Sequence, residues 1–256
     1  MSTPRSQSLV RAGELTTSIS LDLAQLREGV ALELAPGEER LAVVLAGDVG
    51  VRIDGGDAGI AGGRADVFDS PGAAVYLPDR AAASLVARGA DAMVAIASAP
   101  VSGIPSGPAR IITAAEQRVA SVGRDTWRRT VRTILGPEDP ASRLLVGETV
   151  NSPGCWSSYP PHRHDRDSLE EVRLEEVYLF RVRPDNGFGV QVRYDSDTDH
   201  EARVVRDLDV AVIVSGFHPV AAAPGHELYY LWVMAGQGRE LRPYLDPRYR
   251  WVDELR

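Results

Sequence analysis

The sequence predicts an all-β protein built from two β-barrels in tandem. Short apolar runs recur from Val30 to Val101 with Gly and Pro between them, and a second series of strand-like runs fills Glu175 to Met234. Short strands at this spacing, punctuated by turn residues, indicate a sandwich or barrel. Between the two series lies P-V-S-G-I-P-S-G-P (100–108), a turn-rich linker of the kind that separates domains. The expected division is therefore 1–104 and 105–256.

In chain order, residues 1 to about 20 give no strong pattern, and a short helix is expected from Asp22 to Glu28. Strands follow in L-A-V-V-L-A-G-D-V-G-V-R-I (41–53), A-A-V-Y-L-P (73–78) and A-M-V-A-I-A (92–97). Thr126 to Leu135 alternates so that Trp127, Arg129, Val131 and Leu135 share a face, and it reads as a strand. Glu175 to Arg183 is a strand, P-D-N-G (184–187) a turn, and Phe188 to Tyr194 the expected hairpin partner. Glu201–Val205, Asp209–Val214 and Glu227–Met234 complete the second half.

Composition narrows the chemistry. With 256 residues, 44% hydrophobic and 25% charged, the chain can bury a full core. A net charge of −8 argues against nucleic-acid or anionic-membrane partners, which require a basic footprint. The longest apolar runs are too short to span a bilayer. The opening M-S-T-P-R-S-Q-S lacks the apolar core of a signal peptide, so a cytoplasmic protein is expected. Cys155 is the only cysteine, and no lysine occurs. Disulfides within the chain, thiolate clusters and lysine Schiff bases are thereby excluded.

The chemistry-bearing stretch is S-S-Y-P-P-H-R-H-D-R-D-S-L-E-E-V-R-L-E-E (157–176). On an extended strand, residues i and i+2 share a face, so His162 and His164 can converge on one point. Glu175 and Glu176 open the next strand, and His218 lies in S-G-F-H-P after another. Three imidazoles and one carboxylate make a site for one divalent ion per chain, Zn or Mn first, with Fe, Ni or Co also suited. Strand parity favours Glu176 over Glu175. Closing the hairpin through P-D-N-G sets Phe180 opposite Gln191 and Tyr178 opposite Arg193. The Glu176 face then gathers Tyr178, Gln191 and Arg193, as a polar pocket requires. His200 and His226 have no partner pattern and read as loop histidines.

These motifs resemble the cupin superfamily and, more specifically, the 5-deoxy-glucuronate isomerases of myo-inositol catabolism, relatives of the uronate isomerases of pectin breakdown. The resembling text is 123–135, 143–149, W-S-S-Y-P-P-H-R-H-D (156–165), L-E-E-V-Y-L-F-R (174–181), G-F-H-P-V-A-A-A-P-G (216–225), Y-Y-L-W-V-M-A-G (229–236) and 246–252. The resemblance implies a bicupin of two jelly-roll barrels and an aldose–ketose isomerisation of 5-deoxy-D-glucuronate to 2-deoxy-5-keto-D-gluconate. It also places the metal carboxylate in an E-V-Y tripeptide, which falls on Glu176. Tyr178, Tyr230 and Glu175 are the side chains expected to move the proton. Arg193, Gln191 and Arg239 are expected to bind the substrate, Arg239 because the family places an arginine there. A homo-oligomer acting on a small sugar acid is expected.

Departures exist. Val214 stands where a proline is usual, and Cys155 and Trp232 where asparagine is expected. Residues 1–161 contain no histidine. Cupin spacing puts Arg40 in the carboxylate slot and Ala83 in the histidine slot of the first half, so the metal site is expected only in the C-terminal barrel. The alternatives are a 4-deoxy-5-keto-uronate isomerase, an iron oxygenase and a non-enzymatic sugar-acid-binding cupin.

Overall fold

The computed structural model describes residues 5–254 except 102, 105 and 197. Strand dominates. Among the described residues, helix is confined to the 3₁₀ turns Ala114–Glu116 and Asp125–Trp127 and to one α turn, α1 (Trp251–Glu254). No helix is long and apolar enough to cross a membrane. Proximity of the Cα atoms divides the chain into two compact units, Met1–Arg118 with Ile134–Val146, and Val119–Thr133 with Gly147–Arg256. The expected linker falls within the first unit. Its Ser102 and Pro105 lie outside the described residues, and the rest of 100–108 forms no strand or helix.

The first unit holds β1 (Arg5–Val10), β2 (Ser20–Leu26), β3 (Ala31–Leu34), β4 (Glu39–Ile53), β5 (Gly56–Arg64), β6 (Ala74–Leu77), β7 (Ala83–Ala87), β8 (Ala92–Ala99) and β9 (Arg110–Ile112). The spine is β4. Its first part pairs with β6 and β8, and from Gly47 onward it pairs with β5 and β7. Register slips flank Gly47, whose φ is +83° and whose place would put a Cβ 2.9 Å from the Asp91 carbonyl. Only glycine suits such a bend. Beyond it, Val49, Val51, Leu85 and Ala87 join Val44, Val75, Val94 and Ile96 in one buried apolar cluster.

The predicted helix at Asp22 to Glu28 is instead strand β2, ending at Leu26, with Leu21 and Leu23 buried and Asp22 and Gln25 less so. That period-two pattern lets β2 bury one face while pairing with β1 and β8, and sheet pairing overrides a short local helical preference.

The remaining strands are β10 (Arg118–Val122), β11 (Arg129–Leu135), β12 (Leu145–Asn151), β13 (Trp156–Ser157), β14 (His162–Arg163), β15 (Leu174–Arg183), β16 (Gly189–Tyr194), β17 (His200–Val205), β18 (Val210–Ile213), β19 (Val220–Ala222), β20 (Glu227–Gly236) and β21 (Tyr244–Leu245). They form sheets in the orders β10-β11-β12-β20-β15-β18, β13-β19-β16-β17 and β14-β21. β15 is interior, paired along its length with β20 and on its other edge with β18. Both edges are taken, so the expected hairpin of Phe188 to Tyr194 with β15 does not form. β16 pairs with β17 and β19 in the other sheet. The facing of Gln191 with Phe180, and of Arg193 with Tyr178, is lost with it.

Candidate metal centre

Strand parity builds the wall of the site. In the β15–β20 register, Glu176 lies opposite Met234, Tyr178 opposite Trp232 and Phe180 opposite Tyr230. These positions alternate outward from one face. Glu176, Tyr178, Tyr230, Trp232 and Met234 line a single cleft with Thr149 of β12 and Arg129 and Val131 of β11. Odd and even positions divide consistently. Arg132, Glu148 and Tyr229 have the opposite parity and form a buried group, with Glu148 accepting from Arg132 Nη1 at 3.2 Å and from Tyr229 Oη at 2.9 Å. Gly147 is on the cleft side. A Cβ there would come within 2.1 Å of the Trp232 indole, so the absence of a side chain makes room for that ring.

The histidines enter from the other side. His162 and Arg163 pair with Leu245 and Tyr244 of β21, and alternation sends His162 and His164 one way and Arg163 the other. Arg163 packs over the rings of Phe217 and Tyr244 and bonds Glu171 at 3.2 Å. Glu171 also accepts from the main-chain N–H groups of Asp165 and Arg166, so the segment between the histidines and β15 folds back to brace them. Asp165 accepts from the Gly216 N–H at 2.7 Å, tying the His162–His164 turn to the one that presents His218. Gln191 completes that turn, donating to the His218 carbonyl at 3.1 Å.

The ring nitrogens of His164 and His218 and a carboxylate oxygen of Glu176 lie within 4.8 Å of one another. His164 Nε2 is 3.1 Å and His218 Nε2 3.3 Å from Glu176 Oε2. The His162 ring centroid is 4.9 Å from that of His218 and 6.3 Å from that of His164. His164 Nδ1 lies 2.8 Å from the Leu174 carbonyl, and His218 Nδ1 2.9 Å from the Gly216 carbonyl. A carbonyl can only accept, so each Nδ1 donates and, in a neutral ring, Nε2 presents its lone pair. Two lone pairs and a carboxylate then face one point, and His218 Nε2 is buried with no hydrogen-bond partner. A cation resolves that opposition, and carbonyl-anchored imidazoles are how metal-binding histidines are oriented. The donor set of nitrogen and oxygen without thiolate fits a divalent ion.

Electrostatics agree. Burial alone would raise the Glu176 carboxyl, but the His164 and His218 rings beside it hold it down at about 2. Burial and the neighbouring His218 and His164 push His162 down to about 3, so it stays neutral and able to coordinate. For His164, burial opposes the proton, yet the neighbouring Glu176 carboxylate raises its pKa. Burial, then the Glu176 charge, pushes the Tyr178 phenol well above its ordinary value, and burial raises that of Tyr230. The two rings are 4.4 Å apart, and Tyr178 Oη lies 3.3 Å from Ser158 Oγ.

The other expected site residues lie elsewhere. Glu175 has the opposite parity from Glu176. Arg193 pairs with Asp195 and Asp199, and neither Arg193 nor Arg239 is among the cleft-lining residues. Gln191 braces the His218 turn. His226 is in a turn, as read, whereas His200 begins β17. Arg129, Ser158, Asp165 and Glu171 were not singled out from sequence. An off-pattern arginine on the apolar face of β11 was the one visible signal, for Arg129.

Comparison with known proteins follows this geometry. The chain is 45% identical over 148 residues to a protein named 5-deoxy-glucuronate isomerase from Geobacillus kaustophilus, a match covering 57% of this chain and 54% of that one. It is 40% identical over 148 residues to the protein of that name from Bacillus subtilis strain 168 (57% and 55%). The match thus spans about half the length of these curated relatives. The crystal structure of an IolB-like protein from Salmonella typhimurium LT2 superposes with a TM-score of 0.91 at 32% identity, over 99% of this chain and 96% of that one. Oxalate decarboxylase from Lactobacillus farciminis shares the fold alone, with a TM-score of 0.65 at 12% identity over 100% of this chain and 89% of that one. The fold is all-β and cupin-like. A family match extends over residues 6–252, and the chain belongs to the KduI/IolB family.

Proposed function

We propose that this protein is a metal-dependent aldose–ketose isomerase converting 5-deoxy-D-glucuronate to 2-deoxy-5-keto-D-gluconate, within myo-inositol catabolism. The observation that carries the reading is the convergence of His164, His218 and Glu176 on one point, with two phenols beside it. The names of the relatives support this choice of substrate. His162, His164, Glu176 and His218 would hold the ion. When bound, a divalent ion supplies positive charge to the substrate's carbonyl and adjacent hydroxyl oxygens, acidifying the C–H bond between them.

The rest is the work of side chains. The isomerisation takes a proton from one carbon and returns it to the next. Tyr178 and Tyr230 both hold protons at neutral pH, as ordinary phenols do, and burial raises them further. Tyr178 Oη can donate its proton to the carbonyl oxygen that becomes a hydroxyl and recover one from the hydroxyl that becomes a carbonyl, so it carries the proton exchanged between the two oxygens. Trp232 and Met234 keep the wall apolar and exclude water from the reacting carbons. Glu175 stands on the wrong face of β15 to take part.

In this reading the chain is a bicupin, with barrels at 1–104 and 105–256 and the ion only in the second. It works in the cytoplasm as a homo-oligomer. The test is to assay purified protein of measured metal content against 5-deoxy-D-glucuronate, with 4-deoxy-5-keto-uronate as a second arm. Turnover of the first and not the second is expected. Turnover of the second alone moves the assignment to the pectin branch, and turnover of neither removes the isomerase reading.

A further inference from the structure

The geometry points to Arg129 as the group that receives the carboxylate of a sugar acid, in the cleft that Glu176 also lines. This rests on reading the cleft as the isomerase site. A uronate differs from its neutral sugar by one negative charge, carried far from the reacting carbonyl. A site that reads it needs a cation set apart from the reacting end, and a guanidinium matches a carboxylate in shape. Among the described residues lining the cleft, Arg129 is the one arginine, and the chain contains no lysine.

Its placement suits the role. Arg129 begins β11, whereas Glu176 is on β15, with β12 and β20 between them. Three strand spacings of about 4.8 Å each separate the two backbones across the sheet, so the two side chains reach the cleft from well-separated strands. Arg129 Nη1 donates to the main-chain carbonyls of Trp127 at 3.2 Å and Tyr159 at 3.1 Å, which aims the fork. Its charge is felt at Tyr230, on the strand between, and at His162. Arg193, by contrast, engages Asp195 and Asp199 outside the cleft.

The test is titration calorimetry of the metal-analysed protein with 5-deoxy-D-glucuronate and with 5-deoxy-D-glucose, in which a hydroxymethyl group replaces the carboxylate. Arg129→Met is expected to weaken binding of the acid by roughly 10²-fold, the usual order for truncating one partner of a hydrogen-bonded charge pair, and to leave the neutral sugar unchanged. Arg129→Lys should restore part of the preference, and Arg193→Met should alter neither ligand. Undiminished acid binding in Arg129→Met overturns the assignment, as does equal loss of both ligands, which marks a structural role. So does a wild type that binds both alike. A wild type that prefers the acid through Arg129 yet turns over no substrate supports this assignment and removes the isomerase reading instead.

Discussion

Two buried carboxylates, one in each unit, show how alike a structural acid and a proposed metal ligand can look until their partners are named. Glu39 and Glu176 are both essentially inaccessible to solvent, at 0% and 1% exposure. Glu39 is met only by donors: the Tyr76 hydroxyl at 2.7 Å and the main-chain N–H groups of Ser142, Arg143 and Leu144. Its charge is fully answered within the first unit, and nothing more is needed there. Glu176 is met by imidazoles whose other nitrogens are committed to carbonyls, so that lone pairs face it. Burial alone is therefore no sign of a site; opposed acceptors are. The space between strands differs in the same way. In the first unit it is filled by Leu, Val, Ile and Ala, whereas in the second the inward positions carry Glu176, Tyr178, Thr149 and Tyr230 around a cleft.

This contrast can be broken by substitution. Tyr178→Phe should lower kcat by about 10²–10⁴-fold, the range for removing a proton-transfer group, while the urea midpoint stays near that of wild type. A mutant that unfolds early but turns over normally would make Tyr178 part of the packing. The converse change is Leu85→Ala. Leu85 is fully buried in the first unit's cluster, and its truncation should cost about 2–5 kcal/mol of stability. Metal content and turnover of the folded fraction should not change, as denaturant titration and a parallel assay will show.

Gly147→Ala is expected to destabilise by about 1–3 kcal/mol, since overpacking forces a side chain off its rotamer and the new methyl would meet the Trp232 indole. A shift in Trp232 fluorescence should accompany it, and Trp232→Ala in the same chain should recover only part of the loss, because the methyl also meets the Arg132 main-chain carbonyl. The smallest effect concerns pH. His162 has a folded pKa of about 3 against an ordinary 6.5, so between those values the unfolded chain takes up a proton that the folded chain refuses. Its contribution therefore falls as pH falls through that window. Denaturation of metal-stripped protein at pH 7 and pH 4.5 should show a smaller acid loss in His162→Gln than in wild type; equal losses would contradict the assignment.

Much of the candidate centre was legible because the proposed ligands stand out in one dimension. His162 and His164 are two residues apart on a strand, and parity alone separates Glu176 from Glu175. The strands flanking Glu176 were legible too, from their apolar runs. What failed was pairing. A turn such as P-D-N-G suggests a hairpin locally, but whether one forms depends on free strand edges, and β15 has none because distant β18 and β20 occupy both. Arg193 and Gln191 were drawn to the cleft by that error. Bracing residues were hidden for a related reason: Glu171 acts by folding a loop back on Asp165 and Arg166, and no periodicity encodes a loop's closure. At β2, Leu21 and Leu23 show the strand's alternation, which was outweighed by a short helix-like composition.

The central claim is that His162, His164, Glu176 and His218 hold one divalent ion. The most direct test is elemental analysis of wild type and His218→Ala, purified identically without chelator, with circular dichroism to establish that both are folded. The account predicts about one divalent ion per chain in wild type and near none in the folded variant, because the β core supplies the stability and the imidazoles only the coordination. A folded His218→Ala protein that retains its full complement of metal would contradict it.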